Sequence, residues 1–285
     1  MSGVDQARTP LTAEHLDALV EFFDRGTVAV LTGAGISTDS GIPDYRGEGS
    51  PPRNPMNIAQ FVEDPQYRRR FWAGARIGQN RMSGVEPNAG HLALARLEAA
   101  GRIDGVITQN VDGLHARAGS RTVVELHGGG GVIRCVNCDS RFTRIEVLER
   151  FDEQNPGFAE RNADAEVAPD GDAIVTEVDT VVVPDCPVCG GILRPNVVYF
   201  GETVPVSVFD EAARLVNEAD AFLVAGSSLA VNTGIRLVFR AEQRGIPIAA
   251  INRGHTALDL RSSLSLRIDG GTSESLTALA DALGV

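Results

Sequence analysis

Residues 28–47 read VAVLTGAGISTDSGIPDYRG, and how this stretch is read decides the fold. Residues 28–31 are an apolar run of the length and β-branched content of a buried strand, with Gly33 and Gly35 directly after it. A glycine bend at the end of a strand lets the backbone approach a pyrophosphate with its N–H groups free to meet the anion. The usual dinucleotide fingerprint is incomplete here. Thr38 stands where a third glycine is expected, and Pro51, Pro52 and Arg53 stand where an acidic ribose ligand is expected. A GAG turn alone also fits an ordinary tight bend, so the decision falls to the rest of the chain.

On the N-terminal side, residues 12–26 carry apolar residues at helical spacing, with Thr12 as cap and Gly26 as stop. On the C-terminal side, residues 57–78 give a helical pattern broken around Pro65, and residues 88–101 a clean helix ended by Gly101. Residues 106–108 and the stretch TVVELHG (122–128) read as strands. The alternation returns with NVVYFGE (196–202), a helix over 207–220, the apolar strand AFLVAGSS (221–228), a helix over 232–245 and the strand IPIAAIN (246–252). A terminal helix closes the chain. Strands separated by helices of roughly 10–15 residues indicate an α/β fold, a Rossmann-like parallel sheet with helices on both faces. Residues 132–193 break the pattern, with paired cysteines, few helix signals and a β-like run at 180–183, and read as an inserted module.

With 285 residues, 43% of them hydrophobic, the chain can bury a substantial core. Its thirty-one glycines exceed the usual ~7% without any repeating period, which excludes collagen and points to many tight backbone positions. The net charge of −12 works against nucleic acid or an anionic membrane as partner, since both reward Lys and Arg. No apolar run approaches the ~20 residues of a membrane span, and the first residues resemble neither a signal peptide nor a transit peptide. A cytoplasmic protein is the expectation.

Cys135-x-x-Cys138 and Cys186-x-x-Cys189 use all four cysteines of the chain. Two CxxC turns brought together give tetrahedral S₄ coordination, the geometry of one structural zinc ion, whereas two redox pairs or buried thiols are the alternative. Gly190 and Gly191 after the second pair favour the zinc turn. Four sulfur ligands leave no position for water, so the ion stabilises and catalysis lies elsewhere.

Ligands of open α/β sheets bind at the carboxyl ends of strands. Here those ends carry Gly33 to Arg46, Gln109-Asn110-Val111-Asp112, Gly226-Ser227-Ser228 and Asn252-Arg253-Gly254. Each could be a simple turn; their convergence on one edge is the stronger signal. His127 ends its strand before four glycines and has the titration range of a general base. His15, His91 and His255 read as bland, and His115 stays open.

In this order, GAGISTDSGIPDYRG, TQNVDGLH, ELHG, the CxxC pairs, LRPNVVYFGE, GSSLAV and IN before Arg253 make a chain that resembles a sirtuin, an NAD-dependent protein deacylase, over nearly its whole length. RRRFWAGARIG and APDGD are similar to the class II, bacterial and mitochondrial branch. The resemblance implies a Rossmann-like domain at 12–127 and 194–285, with a helical cofactor-loop region at about 45–88, and a zinc module at 128–193. NAD and an acylated-lysine protein would meet in the cleft, and the acyl group would pass to ADP-ribose with release of nicotinamide and O-acyl-ADP-ribose. Protein ADP-ribosyltransferase and lipoamidase are the alternatives within the same cleft, and a non-catalytic zinc-containing binding protein is the remote one.

By the same resemblance, Gly33, Ala34, Gly35 and Ser37 line the phosphate side of NAD, and Asp44, Tyr45 and Arg46 form a loop over the nicotinamide end. Gln109, Asn110, Val111 and Asp112 hold the nicotinamide and its ribose, with Asn110 and Asp112 counted as catalytic beside the base His127. Gly226, Ser227 and Ser228 contact phosphate or ribose, and Asn252, Arg253 and Gly254 the adenosine side. Val198, Phe200, Gly201 and Glu202 border the acyl-lysine. Small residues at Gly74, Ala75 and Gly129 to Gly131 imply room for an acyl group longer than acetyl, and the Trp72 region is read as lacking a Tyr-x-x-Arg carboxylate clamp.

Overall fold

In the computed structural model, which describes residues 11–44, 57–163, 165, 175 and 178–285, the apolar runs pair into a parallel sheet. In chain order, α1 (Ala13–Phe23) precedes β1 (Val28–Thr32), and α2 (Ile58–Glu63), α3 (Pro65–Ser83) and α4 (Ala89–Ala99) lead to β2 (Val106–Thr108). Next come α5 (Leu114–Arg117), β3 (Val123–Glu125), β4 (Gly128–Cys135), β5 (Arg141–Thr143), α6 (Arg144–Gln154), α7 (Phe158–Arg161) and β6 (Leu193–Val197). The chain then alternates α8 (Val206–Glu218), β7 (Ala221–Ala225), α9 (Asn232–Arg244), β8 (Ile248–Ile251), β9 (Leu264–Ile268) and α10 (Thr272–Ala282).

The larger sheet has six strands in the order β3-β2-β1-β7-β8-β9, and every neighbouring pair is parallel. From β1 the strands step one way through β2 and β3 and the other way through β7, β8 and β9. This reversal opens a crevice at the strand ends between β1 and β7, where an open α/β sheet receives its ligand. Alternation along β1 explains the layers. Val28 and Val30 pack into one core with Phe23, Leu94 and Leu276, while Ala29 and Leu31 pack into the other with Phe222, Leu215 and Leu237. Both faces are therefore covered by helices, which is why β1, β7 and β8 are buried along their whole length, whereas the edge strand β9 alternates apolar residues with Ser265 and Arg267.

The smaller sheet is antiparallel, in the order β5-β4-β6. NVVYFGE was expected to resume the α/β alternation, but its first residues belong to β6 in this second sheet. The 180–183 run forms no strand. Instead the Asn155 side chain brackets Val182, donating to its carbonyl and accepting from its N–H at 2.8 Å each, so one amide takes the place of a partner strand. Helix α6 was not expected there, although its signal was present: Thr143 and Glu146 form a capping box. β9 was also unassigned.

Gly74 and Ala75 turn out to have a packing role. Both are buried, and Trp72, Ala73 and Ala75 share a core with Val147, Leu148 and Phe151 of α6. Their small size lets α3 approach the zinc module, which removes them as evidence of a wide tunnel. The Tyr-x-x-Arg spacing does occur, at Tyr67 and Arg70 on α3; the Tyr67 ring sits edge-on against Phe61 with centroids 6.4 Å apart, and Arg70 is exposed.

Candidate active site and metal centre

The ends of β1 and β7 touch because three glycines allow it. A Cβ on Gly33 would lie 2.8 Å from Ser227 Cβ, one on Gly35 would lie 2.9 Å from Gly226 Cα, and one on Gly226, whose φ is +68°, would lie 2.4 Å from the Ile36 amide nitrogen. The Gly33 and Gly35 N–H groups themselves donate to the Ala225 and Gly226 carbonyls, at 3.2 and 2.8 Å. The glycines thus close the strand ends on each other. The amides of Ala34, Ser227 and Ser228, unlike those of the glycines, have no acceptor among the described residues.

Around this contact the polar residues form one network. Ser37 Oγ donates to Asp112 Oδ2 at 2.7 Å, and Asn110 Nδ2 donates to the Gly33 carbonyl and to Ser37 Oγ, at 3.1 Å each. Asp112 Oδ1 accepts from Leu114 N–H, which fixes the carboxylate by the start of α5. Ser227 Oγ donates to Gln109 Oε1 at 2.6 Å, joining the β7 end to the β2 end. Val111 is exposed, and its carbonyl accepts from Gly130 N–H. Asn252 Nδ2 is held by the Arg253 and Gly254 carbonyls, and Arg253 lies 3.8 Å from Asp39. Asp44 is within the described residues; Tyr45 and Arg46 lie outside them.

His127 is half-buried beside this network, its Nδ1 2.9 Å from the Gln109 carbonyl. A carbonyl only accepts, so Nδ1 carries the proton and Nε2 keeps its lone pair. Burial holds the imidazole below its ordinary pKa, against the Gln109 bond, which raises it. The ring is therefore a neutral acceptor at neutral pH, the state a base requires. Nearby, burial and then the Asp112 charge raise the pKa of Glu125.

The residues expected beside an acyl-lysine are less uniform. Val198 donates to the His127 carbonyl at 2.9 Å, which brings that segment to the site. Phe200 is exposed and bridges Asn57 through its backbone, and Gly201 turns with φ +91°. Glu202 is already committed: both its oxygens accept from buried Arg194, at 2.7 and 2.8 Å. Gly129 and Gly130 are tightly packed, since a Cβ there would meet Glu125 Oε2 at 2.8 Å and the Val111 carbonyl at 3.2 Å; only Gly131 of the three faces open space.

Two buried histidines that patterning left bland or open stand behind the network. His91 and His115 have ring centroids 4.8 Å apart. Burial lowers both, pushing His115 down to about 3 with His91 as the second cause, while Asp112 partly offsets the effect on His91. Below pH ~6.5 the unfolded chain binds protons that the folded chain refuses. Stability is therefore expected to fall as pH drops from ~6.5, by up to about 1.4 kcal/mol per pH unit for each such histidine. Urea unfolding at pH 7.5, 6.5 and 5.5 checks this, and a flat profile would contradict it.

The four cysteine sulfurs all lie within 4.8 Å of one another, with Cys135 to Cys189 at 3.5 Å and Cys138 to Cys186 at 3.7 Å. No disulfide joins them. Four thiolates at Zn–S ~2.3 Å in a tetrahedron would be about 3.8 Å apart, so the donor set and spacing fit one zinc ion. Gly190, with φ +71°, turns the second pair back so that its N–H donates to the Cys186 carbonyl.

The Sir2 family model matches residues 33–233. An NAD-dependent protein deacetylase 1 of Mycobacterium avium is 52% identical over 259 residues, covering 90% of this chain and 91% of that protein. The Drosophila melanogaster protein named NAD-dependent protein deacylase Sirt4 is 40% identical, covering 88% and 82%. Among solved structures, one described as Sir2-p53 peptide-NAD+ superposes with a TM-score of 0.76 at 31% identity, covering 94% of this chain and 98% of that one.

Proposed function

The chain belongs to the Sir2 family, and from that premise we propose that it is an NAD-dependent protein lysine deacylase. Its reaction moves the acyl group of a modified lysine to ADP-ribose and releases nicotinamide and O-acyl-ADP-ribose. The observation that carries this reading is the His127 imidazole, fixed with a bare Nε2 beside the Ser37–Asp112–Asn110 network at the strand-order reversal.

Bound NAD supplies the ribose carbon from which nicotinamide departs. The Ala34, Ser227 and Ser228 amides are placed to bind the phosphates, and Gly33, Gly35 and Gly226 set their spacing. Asn110, held by Gly33 and Ser37, orients the nicotinamide ribose together with Gln109 and Asp112, and Asn252, Arg253 and Gly254 hold the adenosine side. His127 Nε2 takes the proton from a ribose hydroxyl, a general-base role. Val198, Phe200 and Gly201 flank the acyl-lysine. Glu202 acts through Arg194, bracing this segment rather than touching substrate. The closed packing at residues 74, 75, 129 and 130 leads us to propose acetyl as the acyl group. One zinc ion on Cys135, Cys138, Cys186 and Cys189 would hold the module together. Among the described residues no helix is long and apolar enough to cross a membrane.

The test is a panel of otherwise identical acetyl-, butyryl-, decanoyl-, lipoyl- and succinyl-lysine peptides with NAD, scored by kcat/KM and by mass detection of O-acyl-ADP-ribose. Acetyl is expected to lead. A lipoyl preference would make the protein a lipoamidase, and no peptide turnover together with NAD-dependent labelling of protein would make it an ADP-ribosyltransferase.

A further inference from the structure

His91 and His115 are nearly inaccessible, at 0% and 2% exposure, and each has one ring nitrogen without a hydrogen-bond partner: His91 Nε2 and His115 Nδ1. Buried polar atoms of this kind are rare and call for an explanation. Their other nitrogens are engaged. The Asn88 N–H points at His91 Nδ1 at 3.3 Å, so Nδ1 accepts and the proton of His91 sits on Nε2. His115 Nε2 lies 2.8 Å from Thr32 Oγ1, and Thr32 Oγ1 donates to Thr108 Oγ1, also at 2.8 Å. A hydroxyl has one proton. With that proton spent on Thr108, His115 Nε2 must be the donor to Thr32, which leaves Nδ1 as a lone pair. The two orphans are thus complementary, an N–H on one ring and a lone pair on the other, with the centroids 4.8 Å apart.

The line continues to the crevice. Thr108 Oγ1 accepts from the Asn110 N–H at 3.1 Å, and Thr32 immediately precedes Gly33, whose carbonyl holds Asn110 Nδ2. At the other end, Asn88 donates to the Ile36 carbonyl and to Ser40 Oγ, at 2.7 and 3.0 Å, anchoring the turn after β1. We infer that His91 and His115 are a tautomer-locked pair of positioning residues: the two rings pack on each other without a hydrogen bond between them, and His115, through Thr32 and Thr108, sets the position of the Asn110 backbone. The pair touches no reacting atom; its role for NAD rests on the function proposed above. Asp112 is the charged group that faces His91, and it is tied to Ser37 and Leu114.

Two measurements decide the matter. Long-range ¹H–¹⁵N correlation spectra of the full chain are expected to show His91 and His115 as Nε2–H tautomers and His127 as the Nδ1–H tautomer. A His115 Nδ1–H tautomer overturns the pair whatever the enzyme does. In nicotinamide exchange, His115→Leu is expected to lower kcat/KM for NAD about 10-fold, the scale of one buried hydrogen bond lost with its partner left unpaired. KM for the acyl peptide should not change. His115→Gln, which keeps a donor at the Nε2 position, should restore most of the loss. Thr32→Val should lose as much as His115→Leu, and the double variant no more than either alone. Additive losses, or a folded His115→Leu with parental NAD kinetics, overturn the inference. A parent chain without any exchange sinks the proposed function instead, and the spectra still decide the pair.

Discussion

Changing Cys135 and Cys138 to serine is expected to remove bound zinc and unfold the smaller module. The free energy of four thiolates on zinc is about 10–16 kcal/mol in zinc-finger peptides at pH 7, which matches or exceeds the ~5–15 kcal/mol that holds a typical domain together. Cys135 and Cys186 are themselves buried in the core shared with Trp72 and Phe151, so the loss opens that core as well. Elemental analysis should find one zinc per parent chain and none in the variant, with rapid proteolysis of the variant between β4 and β6. A metal-free parent preparation that is folded and fully active would sink the assignment.

His127→Ala is expected to lower deacylation by about 10²–10⁴-fold, the usual contribution of a positioned acid–base group, while NAD binding by calorimetry survives. The Asn110 and Ser227 side chains take their hydrogen bonds from Gly33, Ser37 and the Gln109 side chain, not from the imidazole. Near-parental turnover would remove His127 from the mechanism. Asn110→Ala should impair nicotinamide exchange instead, so the two variants separate an early step from a later one.

Periodicity made the larger sheet legible because its strands before β9 are short apolar runs, each preceded by a helix, and several of those helices have clear ends, such as Thr12 capping α1 and Gly245 ending α9. The CxxC spacing made the metal centre legible for a similar reason: ligand geometry constrains local sequence. The small module was harder to read. Its core is shared with α3, so its elements carry only half of a hydrophobic pattern, and α6 was announced only by the Thr143 and Glu146 cap. Val182 looked like a strand because its neighbours are β-branched, yet its partner is the Asn155 side chain. Within the site, residue types pointed to the strand ends where these residues do gather, but not to who bonds whom. That Gly33 and Gly35 serve Gly226, that Glu202 serves Arg194, and that His91 meets His115 all depend on contacts between distant segments, which one sequence does not display.

Between the last residue of β3 and the first of β4 stand only Leu126 and His127. The polypeptide leaves the parallel sheet and enters the antiparallel one without a linker, so the imidazole lies on the axle between them. A tilt of the small module about that crossing would swing the sulfur cluster through a wide arc and displace the imidazole very little.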